Sequence, residues 1–276
     1  QKPEAFDVTQ AAKGNFSKPM EVPFPDGYLL VSTVYHTADK LLHKPGGYQS
    51  NNIWPPIMKG YGADNMTEWE FGVLTSIRDS SKWLRNEASR SQSQGREDKD
   101  LAEAEPAFNY DNASWLLPRT EHEYARGLAY LKKFMDRMTD DNPSDGIVYL
   151  RYDNLNHMFG VIANRLGGYT ARLTASIENP TTHRDTSHAT GETNTKPVSE
   201  VEHNRTPWLQ VDNEFWQTRG YVWATLHFLQ AIEKDYNVIL KDRNALSSLR
   251  QIIHDLQASQ EELSPSALGM VINGNG

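Results

Sequence analysis

The stretch PWLQVDNEFWQTRGYVWATLHFLQAIEKDYNVIL, residues 207–240, decides the fold of this chain. Apolar side chains occupy nearly every face of the helix that it would form, which is typical of a helix buried on all sides. We therefore predict a central helix beginning near Asp212. Arg219 and His227 lie among its aromatic residues, and buried polar groups need partners. We expect Arg219 to pair with a carboxylate from a neighbouring helix and His227 to be hydrogen-bonded in the core; the alternative is a binding role.

The composition is that of a globular protein and excludes several classes of function. Of the 276 residues, 38% are hydrophobic and 23% charged, and 36 acidic against 28 basic side chains give a net charge of −8. This balance argues against a nucleic-acid partner, because phosphate binding favours a basic surface. The absence of cysteine excludes disulfides, thiolate zinc ligands and cysteine nucleophiles. We expect no cofactor.

Helical periodicity along the rest of the chain predicts an all-α fold, a multi-helix bundle of about six long helices. Asp26 has the position of an N-cap, and the S/T-x-x-E pattern of a capping box occurs at residues 67–70 and 120–123. Adjacent Gly167 and Gly168 are expected to kink their helix or to admit a close neighbour. The helices are expected at about 27–44, 67–88, 120–139, 147–177, the central stretch and 242–263.

Two aromatic segments without helical period, residues 48–66 and 106–118, are predicted to be structured loops. The second is bounded by prolines, and a short β-hairpin is an alternative for it. Clusters of apolar side chains usually find cover, so we expect these loops to pack on the body or on a partner. Trp54 and Trp115 are the binding candidates that they carry.

Polar candidates for a site lie on the predicted second helix. Arg78, Lys82 and Arg85 recur at helical spacing and form either an ordinary solvated face or a site for an anion. Glu70 lies at the helix start beside aromatic residues and is a weak candidate for a catalytic acid. Its place in the capping pattern already explains a glutamate there.

The ends and the polar interior segment set the domain organisation. Residues 1–26 are proline-rich and read as an extended leader after a missing N-terminal anchor, followed by a single helical domain over 27–276. Residues 178–206 are predicted to be a mobile loop within that domain. The loop holds His183, His188 and His203, but their spacing matches no zinc pattern and we predict no metal site. The sequence also lacks a Gly-rich phosphate loop, a G-x-S-x-G elbow and an H-E-x-x-H motif.

Several strings of residues, taken together in one order, carry a family resemblance. They are KPGGYQSNN at 44–52, WEFGVL at 69–74, SRSQSQ at 89–94, PWLQVD at 207–212 and NALSSLRQII at 244–253. Over about residues 27–263 the chain resembles the proteobacterial membrane-protein family designated domain of unknown function 2333. The resemblance implies an N-terminal anchor in the bacterial inner membrane and a helical body facing the periplasm. It implies no activity, so no catalytic residue is transferred.

These observations favour a non-enzymatic, membrane-anchored envelope protein that binds or scaffolds. Its expected partner is an envelope protein or a cell-wall or lipid component. One alternative is an enzyme acting on peptidoglycan or a related glycan, with Glu70 protonating the leaving oxygen. Another is a carrier of a lipid or small molecule in an apolar cavity between helices.

Overall fold

Helices arranged as an all-α bundle form the described part of the chain, as the sequence predicts. The computed structural model describes residues 2–14, 24–51, 64–90, 97–140, 145–175 and 208–261, and no strand occurs within these ranges. The helices are α1 (Val8–Lys13), α2 (Tyr28–His43), α3 (Asp64–Trp83, continued by a π-helical turn over Leu84–Ala88), α4 (Lys99–Phe108), α5 (Thr120–Met138), α6 (Tyr152–Ala175), α7 (Trp208–Asp235), α8 (Asn237–Asp242) and α9 (Leu246–Ser259).

The close crossing of α3 and α7 forms the centre of the bundle. A Cβ added to Gly220 on α7 would be 2.0 Å from the carbonyl oxygen of Trp69. A Cβ added to Gly72 on α3 would be 2.0 Å from the carbonyl oxygen of Gln217. Only glycine therefore permits the two backbones to approach this closely. Every residue of α7 from Gly220 to Leu229 is buried, which confirms the predicted central helix.

The remaining helices pack around this pair. α2 lies against α3, α5 and α7, α4 lies against α5, and α9 lies against α7. Their buried faces form one core that includes Trp69, Trp83, Tyr124, Phe134 and Phe228. α6 contacts α7 and α3, yet most of its side chains outside that contact face solvent. An open groove consequently runs between α3 and α6.

The N-terminus of α2 is capped from a distant part of the chain. Gly27 precedes α2 with a φ of 77° and offers no side chain, while Asp235 at the end of α7 accepts a hydrogen bond from the Leu30 N–H at 3.0 Å. The prediction that Asp26 caps this helix is therefore wrong. Burial raises the pKa of Asp235 to about 7, and the hydrogen bond from Leu30 opposes that rise.

The predicted extended leader differs from the structure where the structure describes it. Residues 2–14 include α1, whose N-terminus is capped by the Asp7 carboxylate. Val8 and Ala12 are buried, and α1 packs on α2 and α7. This part of the chain is therefore a packed element rather than an extended tether. One turn and a half of helix is too short to give a recognisable apolar period, so the sequence pattern does not predict it.

The predicted loop at 106–118 begins inside α4, which continues through Pro106 to Phe108. A proline inside a helix costs about 3 kcal/mol. Here Leu101, Ala104 and Phe108 are buried and α4 packs on α5, and this burial offsets the cost. The described residues of the segment contain no hairpin, so that alternative is wrong.

Candidate functional site

Glu70 is a buried structural anchor. Its carboxylate forms an ion pair with Lys44, and both side chains are completely buried. It also accepts hydrogen bonds from the backbone N–H of Gln49 at 2.9 Å and from the N–H and hydroxyl of Ser50 at 2.8 and 2.6 Å. The predicted capping box is wrong, because α3 begins at Asp64 and Glu70 serves the turn at 44–51 instead. Both oxygens are already occupied, so the arrangement does not resemble an acid exposed to a substrate.

The three basic residues predicted to form one strip have separate environments. Arg78 donates from Nε to the Phe108 carbonyl and from Nη2 to the Tyr110 carbonyl, both at 2.8 Å. Arg85 pairs with Glu97 and Glu105 at 2.9 and 2.8 Å. Lys82 is exposed and lines the groove between α3 and α6. Arg85 thus belongs to a local ion-pair cluster, while Arg78 and Lys82 face the groove.

The most unusual surface feature is a run of three exposed apolar residues between α4 and α5, which we name the apolar tip: Trp115, Leu116 and Leu117. Their side chains are 51%, 61% and 94% exposed. Single exposed apolar residues are common, but a contiguous cluster of large ones usually marks an interaction site. Trp115 was predicted from the sequence, whereas Leu116 and Leu117 were not singled out. Trp54, the other aromatic candidate, lies outside the described residues.

The loop that carries the apolar tip is closed at its base by hydrogen bonds. The Thr120 hydroxyl donates to the carbonyls of Asp111 and Ser114 at 2.8 and 3.0 Å, and the Thr120 N–H donates to Ser114 at 3.1 Å. The hydroxyls of Tyr110 and Ser114 both donate to the Pro118 carbonyl at 3.1 Å. Thr120 therefore fastens this loop instead of forming the predicted capping box with Glu123. The apolar tip is therefore exposed on a loop that hydrogen bonds hold in place.

Hydrogen bonds from the turn at 44–51 connect the base of the tip loop to the buried ion pair of Lys44 and Glu70. Asn51, which closes the turn held by Glu70, donates to the Ser114 carbonyl at 3.0 Å and to the Glu121 carboxylate at 2.6 Å. The Tyr48 hydroxyl donates to the Asn112 carbonyl at 3.0 Å. The turn at 44–51 thus rests on Glu70 on one side and supports the tip loop on the other.

Arg219 and His227, the two polar residues of the central helix for which a binding role was the alternative, are structural. Arg219 donates to the carbonyls of Ser259, Gln260 and Glu261 at 3.4, 2.8 and 3.3 Å, and so binds the C-terminal end of α9. The predicted carboxylate partner is wrong: exposed carbonyls and the negative end of the helix dipole take its place. Burial lowers the pKa of Arg219.

His227 is hydrogen-bonded in the core, as expected. Its Nδ1 lies 2.7 Å from the Trp223 carbonyl, and its Nε2 accepts the Phe6 N–H at 3.0 Å. The Phe6 ring stacks on the imidazole with centroids 4.1 Å apart. Burial lowers the pKa of His227 to about 4, so the ring is neutral with its proton on Nδ1. His227 therefore fastens the N-terminal segment to α7.

Two other kinds of site, a metal site and a membrane-spanning helix, are absent from the described residues. Within them, no cluster of three or more His, Asp or Glu side chains could hold a metal ion. The three histidines of 178–206 lie outside the residues that the structure describes. Among the helices so described, none combines the length and the apolar character needed to cross a bilayer.

Fold and surface together define a helical-bundle protein that presents a fastened apolar tip. The chain belongs to the family described as an uncharacterized protein conserved in bacteria, domain of unknown function 2333, whose model matches residues 1–276. This confirms the family suggested by the sequence strings. The chain matches no curated protein and no solved structure.

Proposed function

We propose that this protein is a non-enzymatic binding module that docks a partner protein through the apolar tip. The observation that carries the proposal is the combination of exposure and fastening. Leu117 is 94% exposed, while the loop on either side of it is closed by hydrogen bonds through Thr120 and Pro118. A loop ordered before binding loses little conformational entropy when a partner covers it.

The tip has the size of a small energetic hot spot. Fully burying a large apolar side chain contributes about 1.5–3 kcal/mol, so three of them supply enough free energy to anchor an interface. Tryptophan is among the residues most enriched at such anchors. Three residues in sequence at the end of a loop form a convex plug, and the complementary surface is an apolar pocket on the partner.

Charge favours a protein pocket over a lipid surface. Asp111 and Glu121 flank the tip loop, with Arg119 as the cation next to it in sequence. The chain as a whole carries a net charge of −8. An anionic bilayer surface attracts cationic segments and repels such a protein.

The cellular setting is part of the same proposal. The resemblance implies an inner-membrane anchor and a periplasmic body, and an envelope protein would then be the partner that meets the tip. Fractionation of the full-length gene product, combined with protease accessibility in spheroplasts, tests this setting. Recovery in the soluble cytosolic fraction would contradict it.

The two alternative functions lack a specific observation in their favour. An enzyme acting on glycan was based on Glu70, which is enclosed by Lys44, Gln49 and Ser50. A carrier needs an apolar cavity between helices. The space next to Phe228, between α2, α3 and α7, measures about 10 Å³, which is room for about one water molecule, and its lining includes the hydroxyl groups of Thr33 and Ser76.

Site-specific photo-cross-linking tests the docking proposal. A photoreactive amino acid replaces Leu117 in the host, and in a matched control it replaces Val238, an exposed apolar residue of α8 at 71%. A discrete product from position 117 that is absent from position 238, and that is lost in Trp115→Ala, is the expected result. No product, or the same products from both positions, would contradict docking through the tip.

A further inference from the structure

The groove between α3 and α6 has the dimensions of a binding site. It encloses about 670 Å³ and is bordered at one end by the first turns of α7. A neighbouring depression of about 620 Å³ continues along the same two helices. Asp79, Lys82, Asn164 and Arg165 line both parts, so the two depressions form one elongated groove. Sites for small ligands commonly measure about 300–1,000 Å³.

The groove carries an excess of positive charge. The larger part is lined by four cationic side chains, Arg78, Lys82, Arg165 and Arg172, and by two anionic ones, Asp79 and Glu214. The continuation adds one further carboxylate, that of Glu87. The guanidinium of Arg78 is bound by neutral carbonyl oxygens, which satisfy its N–H groups without cancelling its charge. Lys82, one turn further along α3, has no hydrogen-bonding or ionic partner among the described residues. Arg78 and Lys82 are therefore the two cationic side chains of the groove that have no ion-pair partner among the described residues.

The two arginines of α6 are held in place and keep donors for a ligand. Arg165 binds Asp79 through two nitrogens at 2.8 and 2.9 Å and remains 50% exposed. Arg172 binds Glu214 through Nε at 2.5 Å, and its guanidinium lies 4.6 Å from the centre of the Tyr169 ring. The two terminal nitrogens of Arg172 form no hydrogen bond with the described residues. An arginine fixed in this way presents a planar pair of donors that suits a carboxylate or phosphate.

The rest of the lining is polar and aromatic rather than charged. Asn164 and Gln217 line the groove, and their side-chain amides make no hydrogen bond to the described residues. Phe71 and Tyr169 add aromatic surface. Amides donate to and accept from hydroxyl groups, and aromatic rings pack against the apolar edges of a ring. The lining therefore suits an anion that also carries several hydroxyl groups.

We infer that this groove binds a hydroxyl-rich anionic sugar unit, with Lys82 and Arg172 as the cationic side chains that contact it. The groove is separate from the apolar tip, and this inference stands whether or not the tip docks a protein. Such a unit can be a free sugar acid or one residue of an acidic polysaccharide. The continuation of the groove past Arg165 accommodates the neighbouring units of a polymer.

Titration of the complete chain, followed by nuclear magnetic resonance of its amide groups, tests the inference. The probes are glucuronate, an oligomer of glucuronate, neutral glucose and inorganic sulfate. Glucuronate is expected to shift amides of α3 and α6 and to bind at least tenfold more tightly than glucose or sulfate. Tighter binding of the oligomer assigns the groove to a polymer, and equal binding per unit assigns it to the free acid.

Matched variants locate the binding. Lys82→Gln and Arg172→Gln are each expected to weaken glucuronate binding at least tenfold with the amide spectrum otherwise preserved. Lys99→Gln removes the same charge from an exposed position outside the groove and should leave binding unchanged. Absence of binding by both acidic probes would overturn the inference. So would sulfate binding as tightly as glucuronate, or equal weakening by Lys99→Gln.

Discussion

Lys44 and Glu70 form a completely buried ion pair that holds the turn at 44–51 beneath the loop of the apolar tip. A buried charge without its partner is strongly destabilising. Burial lowers the pKa of Lys44, and the Glu70 carboxylate opposes that change. The pair therefore links the stability of the bundle to the geometry of the proposed docking surface through Asn51.

Glu70→Gln is expected to lower the free energy of unfolding by about 3–5 kcal/mol, because it leaves Lys44 charged and unpaired in the interior. Urea unfolding measures the change, and hydrogen exchange should show lost protection at residues 111–120. The double variant Lys44→Met with Glu70→Gln buries no charge and should recover part of the loss. A single variant within about 1 kcal/mol of wild type would contradict the role of the pair.

The close crossing of α3 and α7 predicts that position 220 requires glycine. Gly220→Ala places a methyl group against the Trp69 carbonyl and should destabilise the protein by about 3 kcal/mol. Gly167→Ala in α6 is the matched control, since a Cβ there meets nothing within 4 Å. It should stabilise by up to about 1 kcal/mol through helix propensity. Equal melting temperatures for the two variants would show that the helices do not cross at Gly220.

Arg219→Ala should release the end of α9. The guanidinium binds three carbonyls there, and hydrogen bonds to a charged group contribute about 1.5–3 kcal/mol. The expected result is a loss in that range by urea unfolding, with faster amide exchange at residues 256–261. Arg250→Ala removes an arginine that is 60% exposed and paired with Glu233, and should change stability by less than about 1 kcal/mol. A larger effect at Arg250 than at Arg219 would contradict this assignment.

Lowering the pH should reduce the free energy of unfolding because His227 becomes protonated. Its pKa is about 4 in the folded protein against 6.5 for an ordinary histidine, so the folded state favours the neutral ring. The stability that this provides is present above about pH 6.5 and is lost as the pH falls towards 4, up to about 3 kcal/mol. The pKa of His36 is lowered by burial as well and acts in the same direction.

Asp235 acts with the opposite sign, because its raised pKa gives stability that is lost as the pH rises from about 4 to about 7. Comparison of wild type with His227→Gln cancels this contribution. The variant should show a shallower fall in unfolding free energy between pH 6.5 and 4, whereas His254→Gln, at a side chain 77% exposed, should follow wild type. Parallel curves for His227→Gln and wild type would show that His227 does not titrate with folding.

The helices were predictable because their apolar residues recur with a local period. The buried face of α5 and the all-round apolar character of α7 are both visible in the sequence. The connections between helices were not predictable in the same way. Glu70 has the local pattern of a capping residue, yet it binds Lys44 from another helix end, and Asp235 caps α2 from 205 positions away. Local patterns do not contain such long-range pairings.

The same difference between local patterns and long-range contacts decides which site residues were predictable. Trp115 was predicted because an aromatic run between prolines is apolar without a period, and Leu116 and Leu117, which follow it, carried the same signal. The groove required knowledge of which helices are neighbours. Arg165 and Arg172 line the same groove as Lys82 only because α6 lies beside α3. The expected close neighbour at Gly167 and Gly168 is absent among the described residues, since an added Cβ would meet nothing within 4 Å at Gly167 and only the Arg172 side chain, at 3.7 Å, at Gly168. The glycines at a close approach are Gly72 and Gly220 instead.

The central claim, docking through the apolar tip, is tested most directly by the affinity for the partner captured at position 117. Leu117→Asp places a charge at the most exposed point of the tip, and Val238→Asp makes the same change on α8. Calorimetric titration should show a loss of at least tenfold, about 1.4 kcal/mol, for Leu117→Asp alone, with melting temperatures unchanged in both variants. Undiminished affinity in Leu117→Asp would contradict the claim.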